Sequence, residues 1–199
     1  MNWMPPVGCA GLIFDCDGTL VDSMPLHFRA WTTVLTRHDL ELTEQRFYEW
    51  AGAPIDEIIR RLADEKGMTV DAAVIGAERD ACFHSYPESC LQPVEAVVSI
   101  ARRFHQRLPM AVATGSTAAS AETSLRAIGI FDLFDALICS RDVGRPKPAP
   151  DVFLAAAERI GVPPGDCAAF EDGDAGLESA RSAGMHVVDI RPWLPRHSS

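Results

Sequence analysis

The sequence predicts an α/β fold: a doubly wound, Rossmann-like parallel sheet with an inserted small α-helical cap. Five short apolar runs recur along the chain, and segments with helical spacing lie between most of them. Each run is continuous and does not alternate with polar residues, which is typical of strands buried on both faces of a parallel sheet. The first run is followed by about 70 residues in which only helical spacing is found.

The five predicted strands are each too short for a helix. They are Ala10–Phe14, Met110–Ala113, Ala136–Cys139, Ala168–Phe170 and His186–Ile190. Four predicted helices accompany the strands in the core, namely Val94–Arg107, Ser116–Ile128, Asp151–Ile160 and Asp174–Ala183. Three of these are followed by a glycine, which is the residue that most often follows a helix C-terminus.

The long segment after the first strand predicts the inserted cap. Its apolar positions recur at helical steps in four parts, Leu26–Arg37, Thr43–Trp50, Ile55–Lys66 and Val70–Phe83. We expect residues 22–92 to form a helical cap at the carboxyl edge of the sheet, and residues 1–21 and 93–199 to form the core. In open α/β sheets ligands bind at that edge. We also expect the linkers near Val21–Pro25 and Gln92–Pro93 to let the cap close over the site.

Composition and charge exclude several classes of protein. The chain has 199 residues, of which 47% are hydrophobic and 23% charged, as in ordinary globular domains. Its net charge of −10 argues against a nucleic-acid partner, because such binding needs a basic surface. No apolar run is long enough to cross a membrane, and residues 1–8 lack the basic residues of a signal or transit peptide.

The cysteines predict a reducing environment. There are six of them, without a CxxC pair, and four lie in or beside apolar runs: Cys9, Cys16, Cys139 and Cys167. This favours buried free thiols in the cytoplasm over a disulfide framework. A monomer is expected because no hydrophobic stripe is left over, and residues 191–199 are expected to form a loose tail.

Polar residues cluster where the first two predicted strands end. Asp15 and Asp17 follow the first strand, and such a like-charge pair needs a positive partner such as a divalent metal. Thr114, Gly115 and Ser116 follow the second strand and precede a helix. Hydroxyl and N–H groups in that position can bind an anion.

The ends of the third and fourth strands supply a cation and more carboxylates. Lys147 lies between two prolines after the third strand, and Glu171 and Asp172 follow the fourth. Ligand sets dominated by carboxylate oxygens suit Mg²⁺ rather than Zn²⁺. The four strand ends therefore predict a Mg²⁺ site beside an anion-binding loop.

These residue types suit phosphoryl transfer from an ester. Mg²⁺ on Asp15 and Asp172, together with the Lys147 ammonium, would neutralise the repulsion between a carboxylate and a phosphate. Asp15 is ionised at neutral pH and can act as a nucleophile, giving an aspartyl-phosphate. Asp17, when protonated, would donate to the leaving oxygen and later accept a proton from the attacking water.

The motifs resemble those of the haloacid dehalogenase superfamily. The segment Asp15–Thr19 resembles its first motif, Thr114 its second, Lys147 its third and the pair Glu171-Asp172 its fourth. All four occur in order at predicted strand ends, and the resemblance covers residues 11–190. The helical insert after the first motif is similar to the C1 cap of the beta-phosphoglucomutase-like branch. Within that branch the chain looks most like bacterial fructose-1-phosphatase-type sugar phosphatases.

The resemblance implies a role for each matched residue. Asp15 would be the nucleophile and a metal ligand, and Asp17 would be the general acid/base with its backbone carbonyl on the metal. Asp172 would complete the Mg²⁺ site, and Glu171 would be either a further ligand or a partner of the ligands. The phosphoryl group would be bound by Thr114, Gly115, Ser116 and Lys147, and His27 would lie near the substrate where cap and core meet. The implied substrate is a small phosphorylated sugar, similar to fructose 1-phosphate.

Two positions depart from the family pattern. The mutase of this branch carries a cap arginine, which binds a second phosphate, a few residues after a glycine that corresponds to Gly52. Here the segment Ala53–Glu57 has no basic residue, so a monophosphate substrate is expected. The usual serine after the fourth motif is Gly173, and we interpret the next residue, Asp174, as a solvated carboxylate or a helix N-cap.

Three other functions stay open from the sequence. A beta-phosphoglucomutase-type isomerase would form the same intermediate and is the main alternative. A haloacid dehalogenase proper needs neither metal nor leaving-group acid, and Asp17 and Asp172 disfavour it. A phospho-accepting signalling domain also carries carboxylates and a lysine at strand ends, but it has no cap of this length after its first strand.

Overall fold

The computed structural model describes residues 3–51 and 53–194. Gly52, the reference point for the missing cap arginine, lies outside the described residues, as do residues 195–199 of the expected tail. The described part of that tail is not loose, since Arg191–Trp193 forms a short 3-10 helix and Trp193 packs against the core. Within the described part of the chain, no helix is both long enough and apolar enough to cross a membrane.

The predicted strands and helices occur where the sequence places them, within a few residues at each end, and two further short strands are present. The strands are β1 (Gly11–Phe14), β2 (Val21–Asp22), β3 (Gln92–Pro93), β4 (Met110–Ala113), β5 (Ala136–Ile138), β6 (Cys167–Glu171) and β7 (His186–Asp189). The α-helices of the described residues are α1 (Met24–Arg37), α2 (Glu44–Glu49), α3 (Ile55–Glu65), α4 (Ala72–His84), α5 (Glu95–Phe104), α6 (Ala118–Ala127), α7 (Asp151–Arg159) and α8 (Asp174–Ser182).

A five-stranded parallel sheet in the order β5-β4-β1-β6-β7 forms the core. The first strand of the chain is therefore central, and Ile13 lies opposite Ala111 on one side and Ala169 on the other. Every residue of β1, β4 and β6 is buried. This confirms the predicted doubly wound parallel sheet and places the segment after β1 in the middle of its carboxyl edge.

Alternate residues of β1 pack against opposite layers of helices. Leu12 and Phe14 belong to a core cluster that includes Val97 of α5 and Leu125 of α6. Ile13 faces the other side, in a cluster with residues of α7 and α8. Both faces of the strand are covered, which explains why its sequence is apolar without alternation.

The four helices α1–α4 have a hydrophobic core of their own. It contains Trp31 and Leu35 of α1, Ile59 of α3 and Ile75 of α4. A separate core supports the interpretation of this segment as a cap, while the exact boundaries at residues 22 and 92 remain a prediction.

The two linkers of the cap pair with each other, which the sequence analysis did not anticipate. β2 and β3 form an antiparallel ribbon in which Val21 lies opposite Pro93 and Asp22 opposite Gln92. Strands of two residues are too short to show a periodic pattern, so this pairing left no signal in the sequence. Both chain crossings between cap and core therefore lie side by side, and their action as hinges stays a prediction.

Local backbone features explain why two helices begin or end at residues other than those predicted. α6 begins at Ala118 rather than Ser116 because the Thr117 side chain accepts a hydrogen bond from the Ser120 N–H and caps the helix. α5 ends at Phe104 rather than Arg107, and Gln106 has a left-handed φ of 61°. A residue in that conformation cannot continue a right-handed helix.

The cysteines are free, as predicted, and three of the four assigned to the interior are buried. These are Cys16, Cys139 and Cys167, whereas Cys9 is half-buried because it precedes β1 instead of lying within it. Burial raises the pKa of the Cys139 thiol to about 11 and that of Cys167 to about 12. Both thiols are therefore neutral at physiological pH.

Candidate active site

Lys147 joins two carboxylates that come from different strands. Its Nζ donates to Asp15 Oδ1 at 2.7 Å, to Glu171 Oε1 at 2.6 Å and to the Ala113 carbonyl at 3.1 Å. All three side chains are buried. Burial lowers the pKa of the lysine, but the two carboxylates outweigh it and hold that pKa above its usual range, so Lys147 is a fixed cation.

Glu171 is held from both sides. While Oε1 accepts from Lys147, Oε2 accepts from the backbone N–H groups of Asp172 at 2.9 Å and Gly173 at 3.0 Å. A Cβ at Gly176 would overlap this carboxylate, so only glycine fits there. Glu171 therefore organises the segment that leads from β6 into α8.

Three carboxylates converge at the carboxyl edge of the sheet. One oxygen each of Asp15, Glu171 and Asp172 lies within 4.8 Å of the others. Burial, together with the charge of Glu171, raises the pKa of Asp172 to about 7, and burial raises that of Asp15 well above its usual value in spite of Lys147. One lysine does not offset the charge of the cluster, whose oxygens fit a hard divalent cation.

Asp172 is positioned by the turn after Asp17. Its Oδ1 accepts a hydrogen bond of 2.7 Å from the Thr19 hydroxyl. Gly18, with a φ of +86°, lies directly beneath the same carboxylate, where a Cβ would overlap it. The close approach and the positive φ both require glycine at this turn.

The Asp17 carboxylate points away from the cluster and is held by three side chains. Ser116 Oγ donates to Oδ2 at 2.6 Å, while Ser23 Oγ and His27 Nε2 contact Oδ1 at 2.7 and 3.1 Å. Burial raises the pKa of Asp17, but the hydrogen bonds from His27, Ser116 and Ser23 outweigh it and hold that pKa well below the usual range. Three donors therefore stabilise the ionised form of Asp17 in this structure, while its role as a proton donor in its protonated form stays a prediction.

His27 is fixed by a residue of another cap helix. Arg79 of α4 lies with its Nη2 2.5 Å from His27 Nδ1, and the imidazole stacks on Phe83 at 3.9 Å between ring centroids. A guanidinium can only donate, so Nδ1 accepts and Nε2 carries the proton that faces Asp17. The predicted place of His27 between cap and core is thereby found in the structure.

The predicted phosphate-binding residues lie together at the end of β4. Thr114 is buried, and its Oγ1 accepts a hydrogen bond of 3.0 Å from the Ser116 N–H. Gly115 has open space where a Cβ would be. Together with Lys147 these residues line the same cavity as Asp15, while the Ser116 hydroxyl is already engaged with Asp17.

The cavity extends from this edge to the cap and has a volume of about 500 Å³. Its cap wall combines aliphatic residues such as Met24 and Ile58 with aromatic, acidic and basic side chains, among them Trp31, Phe47, Trp50, Asp56, Arg79 and Asp80. Its floor carries the carboxylates and Lys147. A ligand held at the carboxylates would therefore also contact the cap.

A comparison with known proteins decides the family. A family model described as haloacid dehalogenase-like hydrolase matches residues 9–184 of the chain. The chain belongs to this hydrolase family. The resemblance inferred from four short motifs is thereby confirmed.

Relatives of the hydrolase include enzymes that act on sugar phosphates. It is 38% identical over 182 residues to fructose-1-phosphate phosphatase YqaB of Escherichia coli K12, a match that covers 92% of this chain and 96% of that protein. It is 29% identical over 192 residues to the beta-phosphoglucomutase of Bacillus subtilis 168, with coverage of 92% and 84%. Among solved structures, a hydrolase from Pseudomonas syringae has a TM-score of 0.80 at 25% identity, with 90% and 84% covered.

Sequence reasoning about the hydrolase missed Ser23 and Arg79 and left Asp174 open. Ser23 precedes a helix and resembles an ordinary capping serine, and Arg79 is one of many charged residues on the cap helices, so neither carried a distinct signal. Asp174 is exposed at the start of α8 and pairs with Arg191 at 2.8 Å. The N-cap is Gly173, so the expectation of a solvated carboxylate is confirmed and that of an N-cap is wrong.

Proposed function

We propose that the hydrolase is a Mg²⁺-dependent phosphatase that hydrolyses a small sugar monophosphate, similar to fructose 1-phosphate, through an aspartyl-phosphate on Asp15. The observation that carries the proposal is the group formed by buried Asp15, Lys147 and Glu171 and half-buried Asp172 at the floor of a cavity with a cap wall. The relative named as a fructose-1-phosphate phosphatase, aligned over almost its whole length, supports the substrate class.

The carboxylate cluster fits Mg²⁺. Asp15 and Asp172 are proposed as side-chain ligands and Asp17 as a ligand through its backbone carbonyl. Glu171, whose two oxygens already accept three hydrogen bonds, holds Lys147 and the segment after β6 beside them. When bound, the ion neutralises the carboxylates and the phosphoryl oxygens, so that an anionic ester can approach an anionic nucleophile.

Asp15 attacks phosphorus with a carboxylate oxygen. Lys147 holds Oδ1, and among the described residues no hydrogen bond reaches Oδ2, which leaves that oxygen accessible. The fixed charge of Lys147 orients the carboxylate and stabilises negative charge on the phosphoryl group as the bond to the leaving oxygen breaks. Thr114 and the Gly115 N–H would hold the phosphoryl oxygens from the β4 side.

Asp17 moves the proton in both half-reactions. In the first, Asp17 in its protonated form donates a proton to the leaving sugar oxygen and becomes a carboxylate. In the second, that carboxylate accepts a proton from the water that attacks the aspartyl-phosphate, which restores the acid form. Its hydrogen bonds favour the ionised form, which the second step requires. The Ser116 hydroxyl can accept as well as donate, so its contact with Asp17 is retained when the carboxyl is protonated. We therefore propose that Ser116 positions Asp17 in addition to its predicted place beside the phosphate.

We propose a cytoplasmic monomer with a phosphorylated sugar as its partner and with neither nucleic acid nor membrane as a partner. Six free cysteines, of which three are buried, support a reducing compartment.

The alternative is a phosphosugar mutase, since one relative is named a beta-phosphoglucomutase. A mutase has to bind a second phosphate on the cap. Arg79 is the one cation among the described cap residues of the cavity, and it already contacts His27 at 2.5 Å and Asp80 at 2.8 Å. This arrangement favours hydrolysis over transfer to a second sugar phosphate.

The test is phosphate release from a panel of sugar phosphates with and without Mg²⁺. We expect the wild type to release phosphate only with the metal, and Asp15→Asn to release none. Asp64→Asn, an exposed carboxylate on α3, is the matched control and should behave as the wild type. Full activity of Asp15→Asn would overturn the proposal, and conversion of one hexose phosphate into another without free phosphate would favour the mutase.

A further inference from the structure

Asp80 lies on the cap wall of the cavity, beside the residue that contacts His27. Asp80 follows Arg79 on α4, and its Oδ1 accepts from Arg79 Nη1 at 2.8 Å. Arg79 in turn contacts His27, which contacts Asp17. Asp80 is therefore the outer end of a chain of contacts that begins at the proposed leaving-group acid.

This series of contacts indicates which part of a bound substrate lies next to Asp80. Asp17 is proposed to protonate the oxygen that stays with the sugar, so the sugar lies on the side of Asp17 and His27. The phosphoryl group lies on the side of Asp15 and Lys147. Asp80, which lines the same cavity, faces the sugar rather than the transferred phosphate.

The Asp80 carboxylate has free capacity for a ligand. Its side chain is 38% exposed, and among the described residues no hydrogen bond reaches its Oδ2. An ionised carboxylate only accepts hydrogen bonds, so it complements a hydroxyl group. A phosphate group in the same place would meet the negative charge of Asp80 and that of Asp56, which also lines the cap wall and is partly offset by Arg60 at 3.1 Å.

We propose that Asp80 is a specificity-determining residue that accepts a hydrogen bond from a sugar hydroxyl and rejects substrates with a second phosphate. The proposal rests on the proposed phosphatase function and adds to it the residue that selects a monophosphate. Arg79 offsets part of the charge of Asp80, but two of its nitrogens are already bound to Asp80 and His27, so it has fewer donors left for a second phosphate.

The experiment compares three esters in wild type, Asp80→Asn and Asp64→Asn. Fructose 1-phosphate has hydroxyls and one phosphate, fructose 1,6-bisphosphate has a second phosphate, and phenyl phosphate has no hydroxyl. Asp80→Asn removes the charge while keeping the shape, and Asp64→Asn makes the same change on an exposed part of the cap. kcat and KM are measured with Mg²⁺, and circular dichroism checks that each variant is folded.

We expect the wild type to prefer fructose 1-phosphate over the bisphosphate, and Asp80→Asn to reduce that preference by about 10-fold or more, mainly through KM. We also expect Asp80→Asn to lose several-fold more activity towards fructose 1-phosphate than towards phenyl phosphate. Asp64→Asn should keep the ratios of the wild type. Asp80→Ser has an uncharged and shorter side chain, and it should reduce the preference for fructose 1-phosphate in the same way. It replaces Asp80→Asn in the experiment if Asp80→Asn does not fold.

Other outcomes would overturn the inference. An equal loss for all three esters would mean that Asp80 acts only by holding Arg79 and His27 in place. Ratios that match those of Asp64→Asn would mean that Asp80 does not contact the sugar. If the wild type is active and Asp80→Asn has the same substrate preferences as the wild type, only this inference is wrong. If the wild type releases no phosphate from any ester, the proposed function is wrong as well.

Discussion

Gly176 lies against the Glu171 carboxylate so closely that a Cβ on Gly176 would overlap the carboxyl carbon and Oε1. Gly176 is in the first turn of α8, and Glu171 is the last residue of β6. The same Oε1 accepts the hydrogen bond from Lys147. Because Gly176 has no side chain, the Glu171 carboxylate has room to reach Lys147.

Gly176→Ala is expected to displace Glu171 and, through it, Lys147. A displacement of about 1 Å at reacting groups costs on the order of 100-fold in rate, so kcat/KM should fall by about that factor. Forcing a methyl group into a packed site should also lower the free energy of unfolding by about 1–3 kcal/mol. Both are measured by phosphate release and by urea denaturation.

Gly173→Ala is the matched control for this change. A Cβ on Gly173 would lie 3.7 Å from Glu171 Oε2, which is an ordinary contact, and its φ of −100° suits any residue. Its activity should stay within a few-fold of the wild type. Equal losses of kcat/KM in both variants would show that the close approach of Gly176 to Glu171 is not required for activity.

Lys147→Met is expected to be strongly destabilising as well as inactive. The substitution leaves Asp15 and Glu171 buried without their cation, and breaking a buried pair in this way costs about 3–5 kcal/mol. Mg²⁺ should restore part of the lost stability by binding the same carboxylates. Lys66→Met, at an exposed lysine, should change neither stability nor activity appreciably. A fully stable Lys147→Met protein would contradict the assignment.

The pH dependence of stability should differ between the metal-free and the Mg²⁺-loaded protein. The pKa of Asp172 is raised to about 7 in the metal-free fold, above its unfolded value of about 3.9. Between these values the folded state binds more protons than the unfolded state, so stability should fall as the pH rises from about 4 to 7.

Mg²⁺ competes with the proton for the same carboxylate, so its stabilising effect should grow as the pH rises from 6 to 8. The measurement is the shift in Tm on adding Mg²⁺ at each pH. Asp172→Asn should abolish most of the shift. A metal effect that is larger at pH 6 than at pH 8 would argue against Asp172 as a ligand.

Ser23→Ala tests whether Asp17 protonates the leaving group. The variant loses the 2.7 Å hydrogen bond to Asp17 Oδ1. We expect kcat for a sugar phosphate to fall by about 10-fold, since a misplaced general acid loses part of its contribution. p-Nitrophenyl phosphate, whose leaving group needs no protonation, should be affected less. Ser99→Ala, at an exposed serine of α5, is the control, and equal losses on both esters would contradict the role.

Much of the fold was predictable because the sheet is buried on both faces. Continuous apolar runs such as Met110–Ala113 have few interpretations other than a buried parallel strand, and the observed β4 has the same bounds. The order of the strands was not predictable in the same way, since the pairing of β1 with both β4 and β6 joins segments far apart in the chain.

The candidate site was predictable because polar residues after buried strands are conspicuous. Asp15, Thr114, Lys147 and Asp172 were found from their positions after four apolar runs, and the structure brings them to one cavity. Ser23 and Arg79 were not found, because their importance comes from contacts with Asp17 and His27 and not from a pattern along the chain.

The role of Asp17 could be predicted from the sequence, but its ionisation could not. The sequence identified Asp17 as the candidate acid from its place after β1. Its ionised state depends on three donors from the cap and from the β4 edge, which only the folded chain brings to one carboxylate. The pKa of a carboxyl group depends on its surroundings in space.

The sequence by itself determined the α/β class, the approximate element boundaries, the helical insert and the set of residue types suited to phosphoryl transfer. Hydrophobic periodicity and strand-end motifs are local, so they can be recognised along the chain. Only the tertiary structure decided that Lys147 bridges Asp15 and Glu171, that Gly176 permits this contact and that Asp80 lies on the cap wall of the cavity. These contacts join residues distant in sequence, and their geometry is set by packing.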